Sequence, residues 1–271
     1  MQAGQLCMAI RLNMHKTHVK SLVISGASSG LGLALARHYL KCGATVAVFA
    51  RRGELLQAIS TEFPNQVYCY TLDVRDAAAV RNAANDFVTR AGVPDIVIAN
   101  AGVSAGTLTE YVEDIAVFQQ VMDINVLGMV KTFQPFIAAM RAAQQGTLVG
   151  IASVAGFRGL PGAGAYSASK SAAISYLESL RVELHDSGVK VVTICPGYIK
   201  TPMTALNPYP MPFMLEADEA ARRMACAIER QIAFTVIPWQ IGVVGYTLKL
   251  LPCWLYDRLF ANAPHKPRGI S

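Results

Sequence analysis

Charged side chains are scarce in this chain. Lysine, arginine, aspartate and glutamate make up 15% of its 271 residues, whereas hydrophobic residues make up 53% and the mean hydropathy is +0.34. Because soluble domains carry about 25% charged residues, we expect extensive burial in a parallel sheet, in a subunit interface or against lipid. The length suffices for one large α/β domain with a substantial core.

Paired cysteines are also lacking. Six cysteines lie far apart, without a CxxC pair or a neighbouring pair of histidines. This pattern argues against a metal site and a disulfide framework, and it favours a reducing, cytoplasmic location. The first residues contain no apolar stretch typical of a signal peptide, because Arg11 and Lys16 interrupt them. We interpret residues 1–19 as a poorly ordered leader.

A concentrated stripe of positive charge is absent as well. The formal net charge is +6, yet the basic residues are scattered apart from the pairs Arg51-Arg52 and Arg222-Arg223. Proteins that bind nucleic acid concentrate such residues on one face. The charge distribution therefore favours an anionic small molecule or a membrane surface as partner rather than nucleic acid.

What the chain does contain is a regular alternation of strand and helix patterns. This alternation predicts an α/β fold, a doubly wound parallel sheet of about seven strands with helices on both faces. No linker or repeat interrupts it, so we expect a single domain over residues 20–262. Short, nearly all apolar runs predict buried strands at 21–25, 44–50, 66–72, 95–100, 146–153, 189–195 and 233–238. Helical patterns lie near 31–42, 53–62, 76–91, 112–143 and 165–187.

A glycine-rich segment, SGASSGLG, follows the first predicted strand. Gly26, Gly30 and Gly32 form a G-x-x-x-G-x-G spacing that opens a helix. Glycines let the backbone turn tightly and bring its N–H groups and the helix N-terminus against a pyrophosphate. A plain Gly/Ser-rich turn is the alternative, but the position after the first strand of an alternating chain favours a dinucleotide site.

The end of the second predicted strand carries no acidic residue. In dinucleotide enzymes that prefer NAD, an acidic side chain there binds the ribose 2′-hydroxyl. Here Ala50 is followed by Arg51 and Arg52, whose guanidinium groups suit a 2′-phosphate through charge-assisted hydrogen bonds. The sequence therefore predicts NADP(H), and a solvated pair at the start of a surface helix is the alternative.

Two further strand ends carry residues suited to the same cofactor. Asp73 could accept a hydrogen bond from an adenine amino group, with the Val74 backbone beside it. An N-cap aspartate is the alternative, although Asp76 is the better candidate for the cap. The fourth strand ends in residues that let the backbone pass close to a cofactor, or that form a plain turn: Asn100, Ala101 and Gly102.

The segment YSASK places Tyr166 and Lys170 one helical turn apart. Such a pair is by itself common on helix surfaces. An ammonium near a phenol also favours the phenolate and lowers the tyrosine pKa, as does the positive charge of an oxidised nicotinamide ring. Tyr166 could then exchange a proton with a carbonyl or alcohol oxygen, which Ser153, at the end of the fifth strand, could also hydrogen-bond.

Further segments follow in a fixed order: DINVLG with Asn125, GIASVAG with Ser153, and PGYIKTPM over residues 196–203. Together with SGASSGLG, LDV, ANAG and YSASK, they resemble the motifs of the short-chain dehydrogenase/reductase family, from residue 20 to about 203. Ser25 stands where the family has threonine, and Ala99 where it has the first asparagine of N-N-A-G. The resemblance implies a Rossmann-like fold and an enzyme that transfers a hydride between NADP(H) and a carbonyl or secondary alcohol.

The resemblance also implies roles for single residues. Asn125, Ser153, Tyr166 and Lys170 would be the catalytic tetrad, in which Asn125 anchors a proton-relay water through its backbone and Lys170 holds the nicotinamide ribose hydroxyls. The implied cofactor contacts are Gly26, Ser28, Ser29, Gly30, Leu31, Gly32, Arg51, Arg52, Asp73, Val74, Asn100, Ala101, Gly102, Tyr166, Lys170, Pro196, Gly197, Ile199 and Thr201.

Beyond Thr201 the resemblance thins. Residues 203–218 are rich in proline and methionine and correspond to the family's substrate lid, which favours a fairly apolar substrate. Residues 239–260 are strongly apolar, but Lys249 and Pro252 interrupt the run of about 20 apolar residues that a spanning helix needs. A buried or lid helix, a subunit interface and an interfacial membrane-associated helix remain open for this segment.

Two expectations concern assembly and the end of the chain. By resemblance, the small-residue helix 165–187 would pair with its copy in a homodimer or homotetramer. Pro264, Pro267 and nearby charges predict a loose tail over residues 263–271. A different class of function also stays open: a non-catalytic NADP(H)-binding regulatory or scaffold protein on the same fold, which would require no activated tyrosine.

Overall fold

A computed structural model of the protein describes residues 21–205, 207 and 209–269. The predicted leader, residues 1–19, lies outside these residues. Seven strands are present in the described part: β1 (Ser21–Ser25), β2 (Thr45–Ala50), β3 (Val67–Thr71), β4 (Ile96–Ala99), β5 (Thr147–Ile151), β6 (Lys190–Pro196) and β7 (Phe234–Ile237). They form one parallel sheet in the order β3-β2-β1-β4-β5-β6-β7.

Helices connect the strands and cover both faces of the sheet. Their bounds are α1 (Gly30–Lys41), α2 (Gly53–Glu62), α3 (Ala77–Ala91), α4 (Asp114–Met122), α5 (Gly128–Ala143), α6 (Gly164–Glu183), α7 (Pro202–Ala205), α8 (Ala217–Glu229), α9 (Trp239–Leu250) and α10 (Cys253–Phe260). A π-helical turn over Asp123–Leu127 joins α4 to α5, and a 3-10 turn over Val154–Gly156 follows β5.

Two hydrophobic clusters show why the strands are apolar throughout. One cluster joins one face of the sheet to α1, α2 and α8, and includes Ile24, Leu35 and Met224. The other joins the opposite face to α3, α5 and α6, and includes Phe87 and Phe133. A strand covered on both faces must be apolar on both. The predicted α/β, doubly wound sheet is confirmed.

The order of the strands reverses beside β1. This strand pairs with β2 on one side, through Ser25 and Phe49, and with β4 on the other, through Ser25 and Ala99. The connections that leave β1 and β4 therefore diverge to opposite halves of the sheet and leave a crevice beyond the strand ends. Open α/β sheets bind their ligands at such a switch point.

The helix predicted over residues 112–143 is divided in the structure. The π-helical turn Asp123–Leu127 separates α4 from α5 and carries Asn125, which is 1% exposed. Helix α5 begins directly after this turn at Gly128, where a Cβ atom would lie 2.7 Å from a methyl group of Val74. The π-helical turn thus brings the Asn125 side chain and the backbone of Gly128 into the core. The 3.6-residue periodicity of a regular α-helix does not reveal such a turn in the sequence.

The apolar segment 239–260 forms two helices, because α9 ends at Leu250 and α10 begins at Cys253. One face of α9 is buried, since a Cβ atom at Gly245 would lie 2.7 Å from the ring of Phe157. Among the described residues, none of the helices has the length and apolar character needed to cross a membrane. Large side chains of this segment are nevertheless exposed: Trp239, Val243, Val244, Tyr246, Leu250, Trp254 and Leu259.

Arg158 fixes the corner between these two helices. Its guanidinium group donates hydrogen bonds to the backbone oxygens of Leu248 at 2.8 Å and Leu251 at 2.7 Å. The same group lies 4.2 Å from the centre of the Tyr256 ring. The guanidinium cation thus binds the unpaired carbonyl groups at the C-terminal end of α9, where the helix dipole favours positive charge. The interpretation of segment 239–260 as a buried helix holds for one face only, because the other face is exposed.

Candidate active site

The glycine-rich loop has no room for side chains at two of its positions. Gly26 has a φ of +71°, and a Cβ atom there would lie 2.7 Å from the Cα atom of Ala101. A Cβ atom at Gly32 would overlap the backbone oxygen of Gly26 and the side-chain nitrogen of Asn100. The backbone at the start of α1 is therefore bare, and the first turn of α1 has no acidic residue. Such a loop fits a dinucleotide pyrophosphate.

Ser25 and Asn100 tie this loop to the end of β4. The Ser25 hydroxyl accepts hydrogen bonds from the backbone nitrogens of Asn100 and Ala101, both at 3.2 Å. The Asn100 side chain donates in return to the backbone oxygens of Ser25 and Gly26, both at 3.1 Å. Serine thus supplies a hydroxyl acceptor where the family has threonine, and Ala99 is a buried strand residue.

The two arginines after β2 lie beside the same loop. Arg52 donates to the hydroxyl groups of Ser28 at 3.0 Å and of Ser29 at 2.7 Å. Arg51 is exposed, and its charge contributes to a lowered pKa of the Asp73 carboxyl. Both guanidinium groups therefore lie on the side of the loop expected to face the adenosine half of a cofactor.

Asp73 is already engaged within the chain. Its carboxylate accepts hydrogen bonds from the guanidinium group of Arg75, the shortest at 2.7 Å, and from the Arg75 backbone nitrogen at 2.9 Å. Arg75 is the main cause of the lowered pKa of Asp73. The N-cap of α3 is Asp76, which accepts from the backbone nitrogens of Ala78 and Ala79, as the sequence predicts.

Asn125 links the loop after β4 to helix α6. Its amide oxygen accepts from the Val103 nitrogen at 2.8 Å, and its amide nitrogen donates to the Val103 oxygen at 2.9 Å. The same nitrogen donates to the Ser169 hydroxyl at 2.9 Å, and that hydroxyl donates to the Tyr166 backbone oxygen at 2.8 Å. The oxygen and the nitrogen of the Asn125 amide are thus both hydrogen-bonded. These bonds fix Val103 relative to the first turns of α6.

Ser153, Tyr166 and Lys170 meet beyond the ends of β5 and β6. Ser153 is 8% exposed and caps the 3-10 turn by accepting from the Ala155 nitrogen at 3.2 Å. Lys170 is 5% exposed and donates to the backbone oxygen of Ile151, at the end of β5, at 2.8 Å. The lysine nitrogen lies 5.8 Å from the centre of the Tyr166 ring.

Burial governs the protonation of this group. It raises the pKa of the Tyr166 phenol, and hydrogen bonding with the Ser153 hydroxyl only partly opposes that rise. Burial also lowers the pKa of the Lys170 ammonium to about 8, against a smaller opposing effect of the Cys195 thiol. The sequence predicts a lowered pKa for Tyr166, whereas in the structure the pKa is raised, because burial of the phenol is the largest effect on it.

The segment after β6 lies across from the glycine-rich loop. A Cβ atom at Gly30 would be 3.2 Å from the Thr201 side chain, so the two predicted cofactor contacts are neighbours. Gly197 donates its backbone N–H to the Ile237 oxygen at 2.9 Å. Thr204, a residue absent from the predicted set, donates to the Ile199 oxygen at 2.6 Å and thereby fixes this turn.

The predicted lid is rich in aromatic and methionine side chains. The rings of Tyr198 and Tyr209 are 6.5 Å apart, edge to face. Phe213 and the methionines Met203 and Met214 are exposed nearby in sequence, whereas residues 206 and 208 lie outside the described part. Within the described residues, no cluster of three or more histidine, cysteine, aspartate or glutamate residues could hold a metal ion.

Sequence reasoning did not identify every residue that organises the site. Ser167 and Ser169, which lie in the small-residue helix predicted to pair with its copy, are both buried and hydrogen-bonded within the chain. Residues Lys266–Gly269, expected to be a loose tail, are hydrogen-bonded to the segment after β4. A serine or an arginine carries no local signal for such contacts, because the partner is set by the fold.

Several known proteins resemble this chain in sequence. A family model described as short chain dehydrogenase matches residues 20–208. An uncharacterized oxidoreductase from Myxococcus xanthus is 38% identical over 247 residues, 90% of this chain and 97% of that protein. A 2-dehydro-3-deoxy-L-rhamnonate dehydrogenase (NAD(+)) from Sphingomonas is 35% identical over 181 residues, 67% of this chain and 72% of that protein.

A likeness to solved structures bears on the fold alone. A short-chain dehydrogenase from Streptomyces avermitilis is 24% identical, with a TM-score of 0.75 over 90% of this chain and 94% of that chain. Together with the family match, it supports the seven-strand parallel fold of the described residues.

Replacement of Ser25 by alanine tests the tie between β1 and β4. The change removes the acceptor shared by the Asn100 and Ala101 amides, so we expect the free energy of unfolding to fall by about 1–3 kcal/mol. Urea unfolding followed by circular dichroism measures this quantity. Ser25→Thr, which keeps the hydroxyl, is the matched control, and equal stability of Ser25→Ala and the parent protein would contradict the prediction.

Proposed function

We propose a specific reaction for this chain on the premise that it belongs to the short-chain dehydrogenase family. The chain is accordingly an oxidoreductase that acts on an alcohol or carbonyl group with a nicotinamide cofactor. We propose further that the cofactor is NADP(H) and that hydride passes between it and a carbonyl or secondary alcohol of a fairly apolar substrate. The observation that carries the proposal is the meeting of Ser153, Tyr166 and Lys170 at the strand ends.

Tyr166 is proposed to be the general acid and base. Because burial raises its pKa, the phenol is neutral at pH 7 and holds a proton that it can give to a carbonyl oxygen as that oxygen gains electron density. In the reverse direction the same oxygen atom accepts the proton of an alcohol. The hydroxyl of Ser153, which counteracts part of the rise in the Tyr166 pKa, is proposed to orient the substrate oxygen.

Lys170 and Asn125 are proposed to support that proton transfer. With a pKa of about 8, the Lys170 ammonium is still mostly protonated at pH 7, so it can donate to ribose hydroxyls and favour the phenolate when one forms. Asn125 holds Val103 and, through Ser169, the first turns of α6. It keeps the loop after β4 and Tyr166 in a fixed relation, besides the family role of anchoring a water.

A nicotinamide dinucleotide, when bound, supplies or accepts the hydride. The bare backbone at Gly26 and Gly32 supports a site for its pyrophosphate. The preference for NADP(H) is supported by Arg51 and Arg52, because no carboxylate follows Ala50 and the Arg52 guanidinium lies against Ser28. The relative from Sphingomonas is named for NAD(+), so the preference rests on these residues of this chain.

The substrate is proposed to be fairly apolar because of the lid. Tyr198, Tyr209 and Phe213 present aromatic rings, and methionines adapt to ligands of varied shape. A non-catalytic NADP(H)-binding regulatory or scaffold protein is the second candidate. The glycine-rich loop is the one feature that supports this second candidate, because it would bind the cofactor. A protein that only binds NADP(H) would not require Ser153, Tyr166 and Lys170 to lie together.

Substitution of Tyr166 by phenylalanine tests the reaction. NADPH consumption is measured across ketones, aldehydes, steroids and long-chain acyl carbonyls, and with the best substrate Tyr166→Phe should lose about 10²–10⁴-fold in kcat. NADPH affinity, measured by fluorescence titration, should stay the same. Turnover unaffected by the substitution would overturn the role of Tyr166, and tight NADPH binding without turnover of any carbonyl would favour the regulatory protein.

Substitution of the two arginines tests the cofactor. Arg52→Ala and Arg51→Ala should each weaken NADPH binding about 10–100-fold, while NADH binding changes little, because only NADPH carries the 2′-phosphate. Dissociation constants for both cofactors are measured by fluorescence titration. Arg81→Ala removes an exposed arginine of α3 and serves as control. An unchanged preference in both variants would show that NADP(H) is the wrong assignment.

We also propose a homo-oligomeric assembly and a peripheral membrane location. Ala168, Ser171, Ser175 and Ser179 form an exposed stripe of small residues along α6, which suits a homodimer or homotetramer through paired copies of this helix. The exposed apolar face of α9 and α10 suits peripheral contact of a cytoplasmic protein with a membrane, since Trp239 and Trp254 lie near its two ends. Residues 20–262 are proposed to be one domain.

One double substitution separates these surfaces. Leu250→Ser with Trp254→Ser removes two exposed side chains of the apolar face, so it should abolish flotation with vesicles that contain anionic lipid and leave the sedimentation coefficient unchanged. A lowered sedimentation coefficient would instead make this face a subunit interface. Ser175→Arg in the α6 stripe is the converse variant, and it should lower the sedimentation coefficient and preserve flotation.

A further inference from the structure

The end of the described chain is bound to the segment that follows β4. Arg268 donates two hydrogen bonds to the carboxylate of Asp114, at 3.0 and 3.1 Å, and one to Glu113 at 2.9 Å. Its guanidinium carbon lies 3.6 Å from the centre of the Tyr111 ring. Lys266 donates to the Ser104 hydroxyl at 2.8 Å. We call residues Lys266–Gly269 the strap.

The backbone of the strap also pairs with the same segment. Gly106 donates its N–H to the Pro267 oxygen at 2.9 Å. A Cβ atom at Gly106 would overlap the backbone oxygen of Lys266 and lie against that of Pro267. Glycine is therefore the residue that lets the strap lie directly on this backbone, and any larger side chain must displace the strap.

The contacts continue from the strap to the helix that carries Tyr166. Asp114, held by Arg268, accepts from the Leu108 nitrogen at 2.8 Å. The neighbouring Thr107 donates its backbone N–H to the Gly162 oxygen at 3.0 Å, and its hydroxyl accepts from the Ala165 nitrogen at 3.3 Å. Ala165 directly precedes Tyr166, so three hydrogen bonds and the peptide link between Thr107 and Leu108 connect the arginine to the first turn of α6.

The ion pair between Arg268 and Asp114 involves a buried carboxylate, so its loss affects neighbouring groups. Asp114 is 5% exposed, and a buried carboxylate that loses its cation seeks water or another donor. Removal of Arg268 therefore disturbs Asp114 and with it the Leu108 amide, rather than an isolated surface contact. The ring of Tyr111 under the guanidinium adds a contact of the cation–π type.

We propose that the strap is a positioning element for the active site: Arg268, through Asp114 and the 104–108 segment, holds the first turn of α6 so that the Tyr166 phenol meets the substrate oxygen. This role rests on the proposed function of Tyr166. Arg268 is a positioning residue and touches no reacting atom. A displacement of about 1 Å at a reacting group can cost about 10²-fold in rate, so a remote contact of this kind controls kcat.

The test combines kinetics with hydrogen–deuterium exchange of the full-length protein. Arg268→Ala should lower kcat about 10–100-fold and leave NADPH affinity unchanged. Amides of residues 106–108 and 165–167 should exchange faster in the variant. Arg268→Lys, which keeps the charge but loses the paired hydrogen bonds, should restore part of kcat. Asp114→Asn should also lower kcat, and combining it with Arg268→Ala should add little, because both act through one contact.

Matched controls separate positioning from general damage. Arg81→Ala removes an exposed arginine of α3, far in sequence from the strap. It should leave kcat and the hydrogen–deuterium exchange of residues 106–108 and 165–167 unchanged. Gly106→Val should reproduce the effects of Arg268→Ala, whereas Gly159→Val should not, because a Cβ atom at Gly159 meets nothing within 4 Å. Urea unfolding of each variant confirms that the comparison is made on folded protein.

Three outcomes would overturn the positioning role. Unchanged exchange at 106–108 and 165–167 in Arg268→Ala would show that the strap fixes nothing. Faster exchange with unchanged kcat would show that the strap is structural only. A kcat equally lowered in Arg81→Ala would show a non-specific effect. If Tyr166→Phe is as active as the parent protein, the proposed function fails, and kinetic control through Tyr166 fails with it, whereas the exchange data still report whether the strap holds α6.

Discussion

The close approach of two loops, one after β1 and one after β4, is the constraint on which the rest of the site depends. Gly26 lies against Ala101 and Gly32 against Asn100, at distances that no side chain could occupy. Ser25 and Asn100 then satisfy the polar groups that this approach would otherwise bury unpaired. Because β1 pairs with β2 on its other side, Arg52, which follows β2, reaches the same loop and donates hydrogen bonds to Ser28 and Ser29. The bare backbone at the start of α1 is a consequence of this packing.

A second, buried network connects the loop after β4 to helix α6, which carries Tyr166 and Lys170. Asn125 and Ser169 are 1% and 0% exposed, and burial of polar groups is tolerated only when their hydrogen bonds are made. Both side chains are bonded, to Val103 and to the backbone of Tyr166 respectively. A satisfied network of this kind is rigid, so it holds the loop after β4 in a fixed position relative to helix α6. The π-helical turn is what lets Asn125 reach both.

Desolvation acts on Tyr166 and Lys170 in the same sense, although their pKa values move in opposite directions. It favours the neutral phenol and the neutral amine, since a buried charge is costly for either group. The Lys170 ammonium keeps a hydrogen bond to the backbone oxygen of Ile151, and a ligand that brings charge or hydrogen-bonding groups into the crevice would shift both pKa values. In the proposed reaction, the rate of proton transfer depends on how firmly the first turn of α6 is held, and hence on contacts such as those of Arg268.

The sequence by itself determined the features that are written in local patterns. Seven apolar runs predicted the strands because a strand covered on both faces must be apolar, and the glycine spacing predicted a bare turn because only glycine leaves the backbone uncovered. The motif order also predicted the site residues. Only the tertiary structure decided that a wide turn carries Asn125, that Ser169 is a buried bridge, that the apolar segment 239–260 bends at Pro252, and that Arg268 is bound to Asp114 rather than loose. These contacts join residues tens to more than a hundred positions apart, and the partner of a polar side chain is set by where the backbone places it, which no local pattern encodes.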